Sequence, residues 1–217
     1  MQRRMSAEMN AVIFDLDGTL IDTAPDIINA LNKTLADLNL ASIDDATGRS
    51  LIGNGARKLV EDGLRESGLA VTNTILNDAY TRFINFYGEA TAVLSRLYPG
   101  VQDALDTLAQ RGFSMGVCTN KPEALSIDVL KSFNLSKYFR AVVGGDTLPE
   151  KKPAAEHVLE TARRTAPKYS RATLIGDSQT DISAARNAGI PVIAGDYGYR
   201  TIPATELGAN VVITDIR

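Results

Sequence analysis

Short apolar runs alternate with stretches of helical periodicity along most of this chain, and this alternation restricts the fold more than any other feature. The runs are continuous, as is typical of parallel strands that are buried on both faces. They occupy residues 11–14, 115–118, 141–143, 173–175, 192–194 and 211–213. Helical patterns lie between most of them, at residues 99–110, 122–133, 153–166 and 180–188. The sequence therefore predicts an α/β fold whose parallel sheet is covered by helices on both faces.

The region between the first two predicted strands departs from this alternation. It contains helical patterns at residues 25–38, 54–67 and 72–87, and we predict no strand in it. A helical insertion of this length predicts a second, smaller domain. We expect a Rossmann-like core formed by residues 10–23 and 99–217, with a small inserted helical domain formed by residues 24–98. Residues 1–9 are expected to be a disordered tail.

The composition excludes several classes of protein. Lys and Arg number 23 against 26 Asp and Glu, and the net charge of −3 argues against a nucleic-acid partner. The single cysteine, Cys118, excludes an internal disulfide, and the single histidine, His157, excludes a His-rich metal site. We predict that Cys118 is buried in a strand and that His157 is exposed on a helix. With no apolar run near the ~20 residues of a membrane span and no secretory signal, we expect a cytoplasmic protein without a membrane partner.

Polar residues follow the predicted strands, at the edge of a parallel sheet where ligands bind. Residues 15–19 (DLDGT) follow the first strand, and residues 119–121 (TNK) follow the second. Lys151 and Lys152 lie near the third, and residues 176–181 (GDSQTD) follow the fourth. Four acids and a lysine from distant parts of the chain are thus expected at one edge of the sheet.

These carboxylates predict a bound metal ion. Asp15, Asp17, Asp177 and Asp181 carry four formal negative charges, and like charges at close range disfavour each other's ionisation. Lys152 offsets only one of them. A divalent cation removes the conflict, and a ligand set made only of oxygen favours Mg²⁺. Because Mg²⁺ often combines few carboxylates with a substrate phosphate, we expect a small phosphorylated metabolite as the partner.

The same residues predict phosphoryl-transfer chemistry. Asp15, at the strand end, can attack phosphorus without prior deprotonation. Asp17 lies two residues further on, and it can protonate the leaving oxygen and then activate water. The Thr119 hydroxyl can bind phosphoryl oxygens, and Lys152 can neutralise the charge that Asp15 shares with the transferred group.

Four segments resemble, in order and in spacing, the motifs of the haloacid dehalogenase-like superfamily. They are residues 15–23 (DLDGTLIDT), 119–122 (TNKP), 152–153 (KP) and 176–181 (GDSQTD). The resemblance implies that Asp15 is the nucleophile and Asp17 the acid/base, and that the helical insertion is an α-helical cap. It also implies that Asp15, the Asp17 carbonyl and Asp177 bind Mg²⁺. Asp181 would support that metal site from nearby.

Within the superfamily the chain resembles phosphoglycolate phosphatases, which implies 2-phosphoglycolate as the substrate. The similar stretches are residues 51–56 (LIGNGA), 86–89 (FYGE), 119–122 (TNKP), 144–146 (GGD) and 197–199 (YGY). One departure is that Ala154 and Ala155 follow Pro153, whereas the family often has Lys-Pro-x-Pro. We expect this departure to alter the rigidity of the loop and not the chemistry.

Substrate contacts are expected from the catalytic loops and from the cap. The backbone of residues 53–55 is expected to close over a small acidic ligand, and Arg57 to meet its carboxylate. The candidate substrate-binding residues are Thr19, Asn120, Gly53, Asn54, Gly55 and Arg57. Asn120 and Lys121 stay open between a substrate contact and a helix cap.

Three further residues have interpretations of their own. Asp22 is predicted to be a turn or helix-start residue, and Asp146 to be either structural or close to the metal. The pairing of lysine with proline favours Lys152 over Lys151 as the catalytic lysine.

Other functions remain open at this point. The nearest are a sugar-phosphate phosphatase, a pyrophosphatase and a mutase similar to β-phosphoglucomutase. A phospho-acceptor signalling domain also combines Asp, Mg²⁺, Thr and Lys, but the large helical insertion argues against it. The intact set of acids argues against a non-enzymatic scaffold. We expect a monomer or a homodimer.

Overall fold

Strands and helices alternate along residues 9–199 and 202–217, the part of the chain that the computed structural model describes. The strands are β1 (Met9–Phe14), β2 (Ile21–Asp22), β3 (Arg96–Leu97), β4 (Ser114–Cys118), β5 (Phe139–Val143), β6 (Tyr169–Gly176), β7 (Val192–Gly195) and β8 (Val211–Ile213). The helices are α1 (Ala24–Asp37), α2 (Asp45–Leu51), α3 (Ala56–Glu66), α4 (Asn73–Glu89), α5 (Val101–Gln110), α6 (Glu123–Ser132), α7 (Ala155–Thr165), α8 (Gln179–Ala188) and α9 (Ala204–Leu207), with a 3₁₀ turn at Ser136–Tyr138. All six predicted sheet strands are present, and most extend beyond their predicted bounds.

The main sheet has the strand order β5-β4-β1-β6-β7-β8, and every neighbouring pair is parallel. After β1 the chain builds outward through β4 and β5, and it then returns to the other side of β1 with β6. The strand order therefore reverses next to β1, and such a switch point opens a crevice at the carboxyl ends of the strands. The predicted α/β fold with a Rossmann-like parallel sheet is confirmed.

Both faces of the sheet are buried, which explains why its strands are continuous apolar runs. Along β1, Ala11 and Ile13 pack into the cluster that α7 and α8 complete on one face. Val12 and Phe14 point to the opposite face, into the cluster completed by α5 and α6. Successive side chains of a strand point to opposite faces, so both sets must be apolar. Full burial of a side chain such as Ile13 contributes about 1.5–3 kcal/mol.

The helices α1 to α4 pack around a hydrophobic cluster of their own. Leu31, Leu64 and Phe83 are buried in it, and Leu125 of α6 joins it from the side of the sheet. Helix α2 is not among the sequence predictions. It has seven residues, too few for a clear apolar period, and its N-terminus is fixed by Asp44, whose side chain accepts a hydrogen bond from the Thr47 amide.

The expectation that residues 24–98 contain no strand is wrong. Strand β3 pairs with β2 in an antiparallel ribbon, with Ile21 opposite Leu97. Nearby, the Asp26 carboxylate accepts hydrogen bonds from the amides of Leu94 and Ser95, at 3.0 and 2.8 Å. A two-residue pairing has no periodicity to detect in the sequence. It brings the two ends of the helical insertion side by side.

Two further expectations concern single positions. The predicted exposure of His157 is wrong: its side chain is fully buried, because the exposed Glu156 and Arg163 lie on the other face of α7. Cys118 is buried in β4, as predicted. Of the predicted tail, residues 1–8 lie outside the described residues, and Met9 belongs to β1.

Candidate active site

The loop after β1 places two aspartates at the crevice of the sheet. The Asp15 amide donates a hydrogen bond to the Ile175 carbonyl at 2.8 Å, which continues the pairing of β1 with β6 beyond the strand end. The chain then turns at Gly18, whose φ of +86° suits glycine. A Cβ atom at this position would lie 2.5 Å from Asp177 Oδ2, so Gly18 is also required by the close approach of that carboxylate.

Three of the four predicted acids form a buried cluster. Carboxylate oxygens of Asp15, Asp177 and Asp181 all lie within 4.8 Å of one another. The Lys152 ammonium contacts two of them, at 2.8 Å from Asp15 Oδ1 and 2.6 Å from Asp181 Oδ1. Lys151 points elsewhere, so the geometry agrees with the choice of Lys152 as the lysine of the site.

Separate contacts hold the two acids that follow β6. Asp177 accepts hydrogen bonds from the Thr19 hydroxyl at 2.9 Å and from the Tyr199 amide at 2.7 Å. Asp181 forms a capping box with Ser178 at the start of α8, and its Oδ2 accepts the Ser178 amide at 3.0 Å. Because both Asp181 oxygens are engaged, this residue supports the cluster from the side. Thr19 is predicted from the sequence to contact the substrate, and in the structure its hydroxyl is hydrogen-bonded to Asp177.

The electrostatics of the cluster suit a divalent cation. Burial is the main cause that raises the pKa of Asp15 to about 8, and Asp181 and Asp177 add to it against the opposing charge of Lys152. Burial and the neighbouring Asp181 raise the pKa of Asp177 to about 7. One lysine thus faces a cluster of three carboxylates and contacts two of them, and the possible metal ligands are all oxygen atoms. These features fit a hard cation such as Mg²⁺, whose charge would hold the acids ionised.

The side chain of Asp17 lies apart from this cluster and has a lysine of its own. Lys121 Nζ is 3.0 and 3.2 Å from the two Asp17 oxygens, and the Thr23 hydroxyl donates to Asp17 Oδ1 at 2.5 Å. Burial lowers the pKa of Lys121, although Asp17 opposes this shift. The ammonium also lies 4.3 Å from the centre of the Tyr87 ring. The amino-acid sequence leaves the role of Lys121 open, and no pattern in it indicates the ion pair with Asp17.

A cavity of about 40 Å³ lies between the loops at the carboxyl edge of the sheet and the helical insertion of residues 24–98, called the cap below. On the sheet side it is lined by Asp15, Asp17, Thr119, Asn120, Lys121, Pro122 and Leu125. On the cap side it is lined by Ile27, Ile52, Gly53, Gly55, Ala56, Leu59, Phe83 and Tyr87. The cap wall of this cavity is mainly apolar.

The cap loop at residues 53–55 is hydrogen-bonded to the loops that follow β4 and precede α7. The Asn120 amide nitrogen donates to the carbonyl oxygens of Gly53 and Lys152, both at 3.0 Å. Lys151 Nζ donates to the Asn54 carbonyl at 2.8 Å. The Asn120 amide nitrogen is thus neither bonded to a helix end nor free for a substrate. It links the inserted domain to the loop that carries Lys152.

The remaining predicted residues are placed as follows. The buried Thr119 lines the cavity, and its hydroxyl accepts a hydrogen bond from the Lys121 amide at 3.2 Å. Arg57 donates to the Asn77 side chain at 2.7 Å and stacks over Tyr80, so its predicted contact with a substrate carboxylate stays a prediction.

Two acids outside the cluster have structural partners. Asp22 forms an ion pair with Arg49 of α2 at 2.9 Å, and it accepts a hydrogen bond from the Tyr199 hydroxyl at 2.7 Å. Asp146 accepts the amide of Glu123 at the start of α6, at 2.8 Å. The structural alternative for Asp146 therefore matches its geometry.

Comparisons with known proteins agree with this geometry. A family model described as haloacid dehalogenase-like hydrolase matches residues 12–195. The chain is 42% identical over 207 residues to the phosphoglycolate phosphatase of Agrobacterium fabrum, covering 94% of this chain and 87% of that one. It is 34% identical over 216 residues to that of Haemophilus influenzae, covering 97% and 96%.

A solved structure is similar along almost its whole length. It is that of a predicted phosphoglycolate phosphatase from Haemophilus somnus, which is 31% identical, with a TM-score of 0.86 and coverage of 97% of this chain and 96% of that one.

Among the described residues of the present chain, no helix combines the length and the apolar character needed to cross a bilayer.

Proposed function

The chain belongs to the haloacid dehalogenase-like hydrolase family, and on this basis we propose that it is a Mg²⁺-dependent phosphatase that converts 2-phosphoglycolate to glycolate and phosphate through an aspartyl-phosphate. The observation that carries the proposal is that two aspartates of one loop have different partners. Asp15 belongs to the acid cluster with Lys152, whereas Asp17 is held apart from it by Lys121, and both line the same cavity.

The cation would be held by the carboxylates of Asp15 and Asp177, with the Asp17 carbonyl as the family resemblance implies. When bound, Mg²⁺ would neutralise charge on the acids and on the phosphoryl group, as a Lewis acid. Asp181 would hold Lys152 through one carboxylate oxygen. Its other oxygen is fixed by the hydrogen bond from the Ser178 amide at the start of α8. Every other function can be assigned to side chains of the chain itself.

In the first step an Asp15 oxygen attacks phosphorus, and the bond from phosphorus to the glycolate oxygen breaks. Asp17 donates its proton to that departing oxygen, while Lys152 and the Thr119 hydroxyl stabilise the charge of the transferring group. In the second step Asp17 takes a proton from water, whose oxygen attacks the same phosphorus. The acyl phosphate then breaks, releasing phosphate and restoring the Asp15 carboxylate.

The cap supports this chemistry by excluding water and by limiting the size of the substrate. Its wall of Ile27, Leu59 and Phe83 offers no hydrogen-bonding group to the hydroxyls of a sugar. Such a wall suits a short two-carbon acid better than a hexose ring with its several hydroxyls. The names of the relatives from Agrobacterium and Haemophilus support the same substrate.

The proposal is tested by phosphate release from a panel of 2-phosphoglycolate, glucose 6-phosphate, β-glucose 1-phosphate and pyrophosphate, with Mg²⁺ and with a chelator. We expect the highest kcat/KM on 2-phosphoglycolate, loss of turnover with the chelator, and recovery with added Mg²⁺. A higher value on a hexose phosphate or on pyrophosphate would refute the substrate and leave the hydrolase family intact.

Two variants test the assignment of the aspartates. Asp15→Asn should lower kcat by at least about 10³-fold. Asp17→Asn should lower it by about 10²–10⁴-fold, and acid-quenched samples should then contain a phosphorylated Asp15 peptide, detected by mass spectrometry. Asp146→Asn is the matched control, because Asp146 caps α6 outside the site and should leave turnover nearly unchanged. Undiminished turnover of Asp15→Asn would contradict the nucleophile assignment.

A further inference from the structure

We propose that Lys121 is a specificity-determining residue that binds the anionic tail of the substrate, so that the site selects short phosphomonoesters carrying a carboxylate. This inference deepens the proposed function and rests on it. It starts from the position of Lys121 in the cavity. Among the described residues that line the cavity, Lys121 has the one cationic side chain, and it is 5% exposed.

The ammonium group of Lys121 has capacity for a further partner. It carries three N–H donors, and its two hydrogen bonds both reach Asp17, at 3.0 and 3.2 Å. Its other close neighbour is the face of the Tyr87 ring, at 4.3 Å. No other acceptor from the described part of the chain is bonded to it.

The position of Lys121 suits the non-reacting end of the substrate. Asp15, the proposed nucleophile, has a cationic partner of its own in Lys152. Lys121 instead lies beside Asp17, the residue proposed to protonate the leaving oxygen, and therefore beside the part of the substrate that departs. A carboxylate there would accept a charge-assisted hydrogen bond from the remaining N–H of Lys121.

On the cap side, the surroundings of Lys121 suit a small anion. Gly55 and Ala56, at the start of α3, line the same cavity, and no side chain caps this helix end. The first amides of a helix favour negative charge. Tyr87 lines the same cavity, and its buried hydroxyl has no hydrogen-bond partner among the described residues. The rest of that wall is mainly apolar, as described above.

The experiment compares two esters that differ in the tail alone, 2-phosphoglycolate and 2-hydroxyethyl phosphate, on the full-length enzyme with Mg²⁺. The quantity measured is the ratio of their kcat/KM values. Any effect of Lys121 that is transmitted only through Asp17 acts on both esters and cancels in this ratio. We expect the wild-type enzyme to favour the carboxylate, and Lys121→Met to lower the ratio by about 10²-fold.

Lys121→Arg is the matched variant, since it keeps the positive charge and should retain most of the preference. If Lys121→Met does not yield folded protein, Lys121→Gln takes its place in the same comparison. An unchanged ratio in the neutral variant, or a wild-type enzyme that does not favour the carboxylate, would overturn the inference and leave a phosphatase in place. A wild-type enzyme that hydrolyses neither ester would overturn the proposed function, and this inference with it.

Discussion

At the scale of single residues, the sequence predicts which acids meet but not how each of them is partnered. Asp15 and Asp177 converge because each lies just beyond a parallel strand, and Asp181 joins them from the first turn of the helix that follows β6. The contact of Lys121 with Asp17 depends on how a loop side chain turns between two layers of the fold. The signal that was available is the position of Lys121 two residues after Thr119, in a loop already assigned to the site.

The burial of His157 is another contact that the sequence does not predict. It leads to a prediction about how the stability of the protein depends on pH. Its Nδ1 accepts the Lys152 amide at 3.0 Å and its Nε2 donates to the Gly144 carbonyl at 2.9 Å, so the folded protein holds the neutral imidazole. Burial is the main cause that lowers its pKa to about 4, and Lys152 and Lys151 add to this shift. An unfolded histidine titrates near pH ~6.5. Between these values the unfolded state binds the extra proton, so stability should fall as pH is lowered from 6.5 to 4.

The measurement is urea unfolding at several pH values from 7.5 to 4.5, for the wild type and for His157→Asn. The variant can retain an acceptor for the Lys152 amide but has no ionisable ring. It should be less stable than the wild type at pH 7.5, and the gap should narrow as the solution is acidified. Parallel curves for the two proteins would show that this imidazole does not stay neutral on folding.

At the scale of secondary-structure elements, long periodic segments were predictable and short ones were not. The strands of the main sheet and the long helices have enough residues to show an apolar pattern. Helix α2 and the ribbon of β2 with β3 are too short to show an apolar pattern. They are stabilised by tertiary contacts, such as the ion pair of Arg49 with Asp22. Such elements can be found only from the tertiary structure.

The loop before α7 yields a prediction from two adjacent lysines. Lys152 contacts Asp15 in the acid cluster, whereas Lys151 reaches across to the Asn54 carbonyl of the cap. Lys152→Met should lower kcat by about 10³-fold, because charge stabilisation of the transferring group is lost. Lys151→Met removes one hydrogen bond to the cap and should lower kcat/KM by no more than about tenfold.

The two variants are assayed side by side with 2-phosphoglycolate, and each is compared with its arginine counterpart. The same chemical change at neighbouring positions then separates charge stabilisation from attachment of the cap. Equal losses of kcat in the two methionine variants would contradict the different roles that the contacts indicate.

At the scale of the whole molecule, we expect the acid cluster to make the stability of the fold dependent on the proposed cation. A ligand that binds only the folded state stabilises it, by about 2.7 kcal/mol at a concentration of 100 times its Kd. For a chain of this length that corresponds to a rise in Tm of about 5–10 °C. We expect Mg²⁺ to produce such a rise in a thermal unfolding experiment, followed by circular dichroism.

Asp177→Asn is the control for this prediction, because it removes one of the proposed ligands while leaving a side chain of similar size. Its Tm should respond much less to Mg²⁺ than that of the wild type. An equal rise in both proteins would show that the cation acts outside the cluster of Asp15, Asp177 and Asp181.

The ribbon of β2 with β3 has a consequence for how this architecture can vary. Since Ile21 lies opposite Leu97, the polypeptide leaves the sheet and re-enters it at neighbouring points. Everything between those points can be shortened, lengthened or exchanged without breaking a strand of the main sheet, as is usual where the ends of an inserted segment adjoin. The wall that the insertion contributes to the cavity can therefore change in evolution, while the reacting groups on the sheet, Asp15 and Lys152, stay in place.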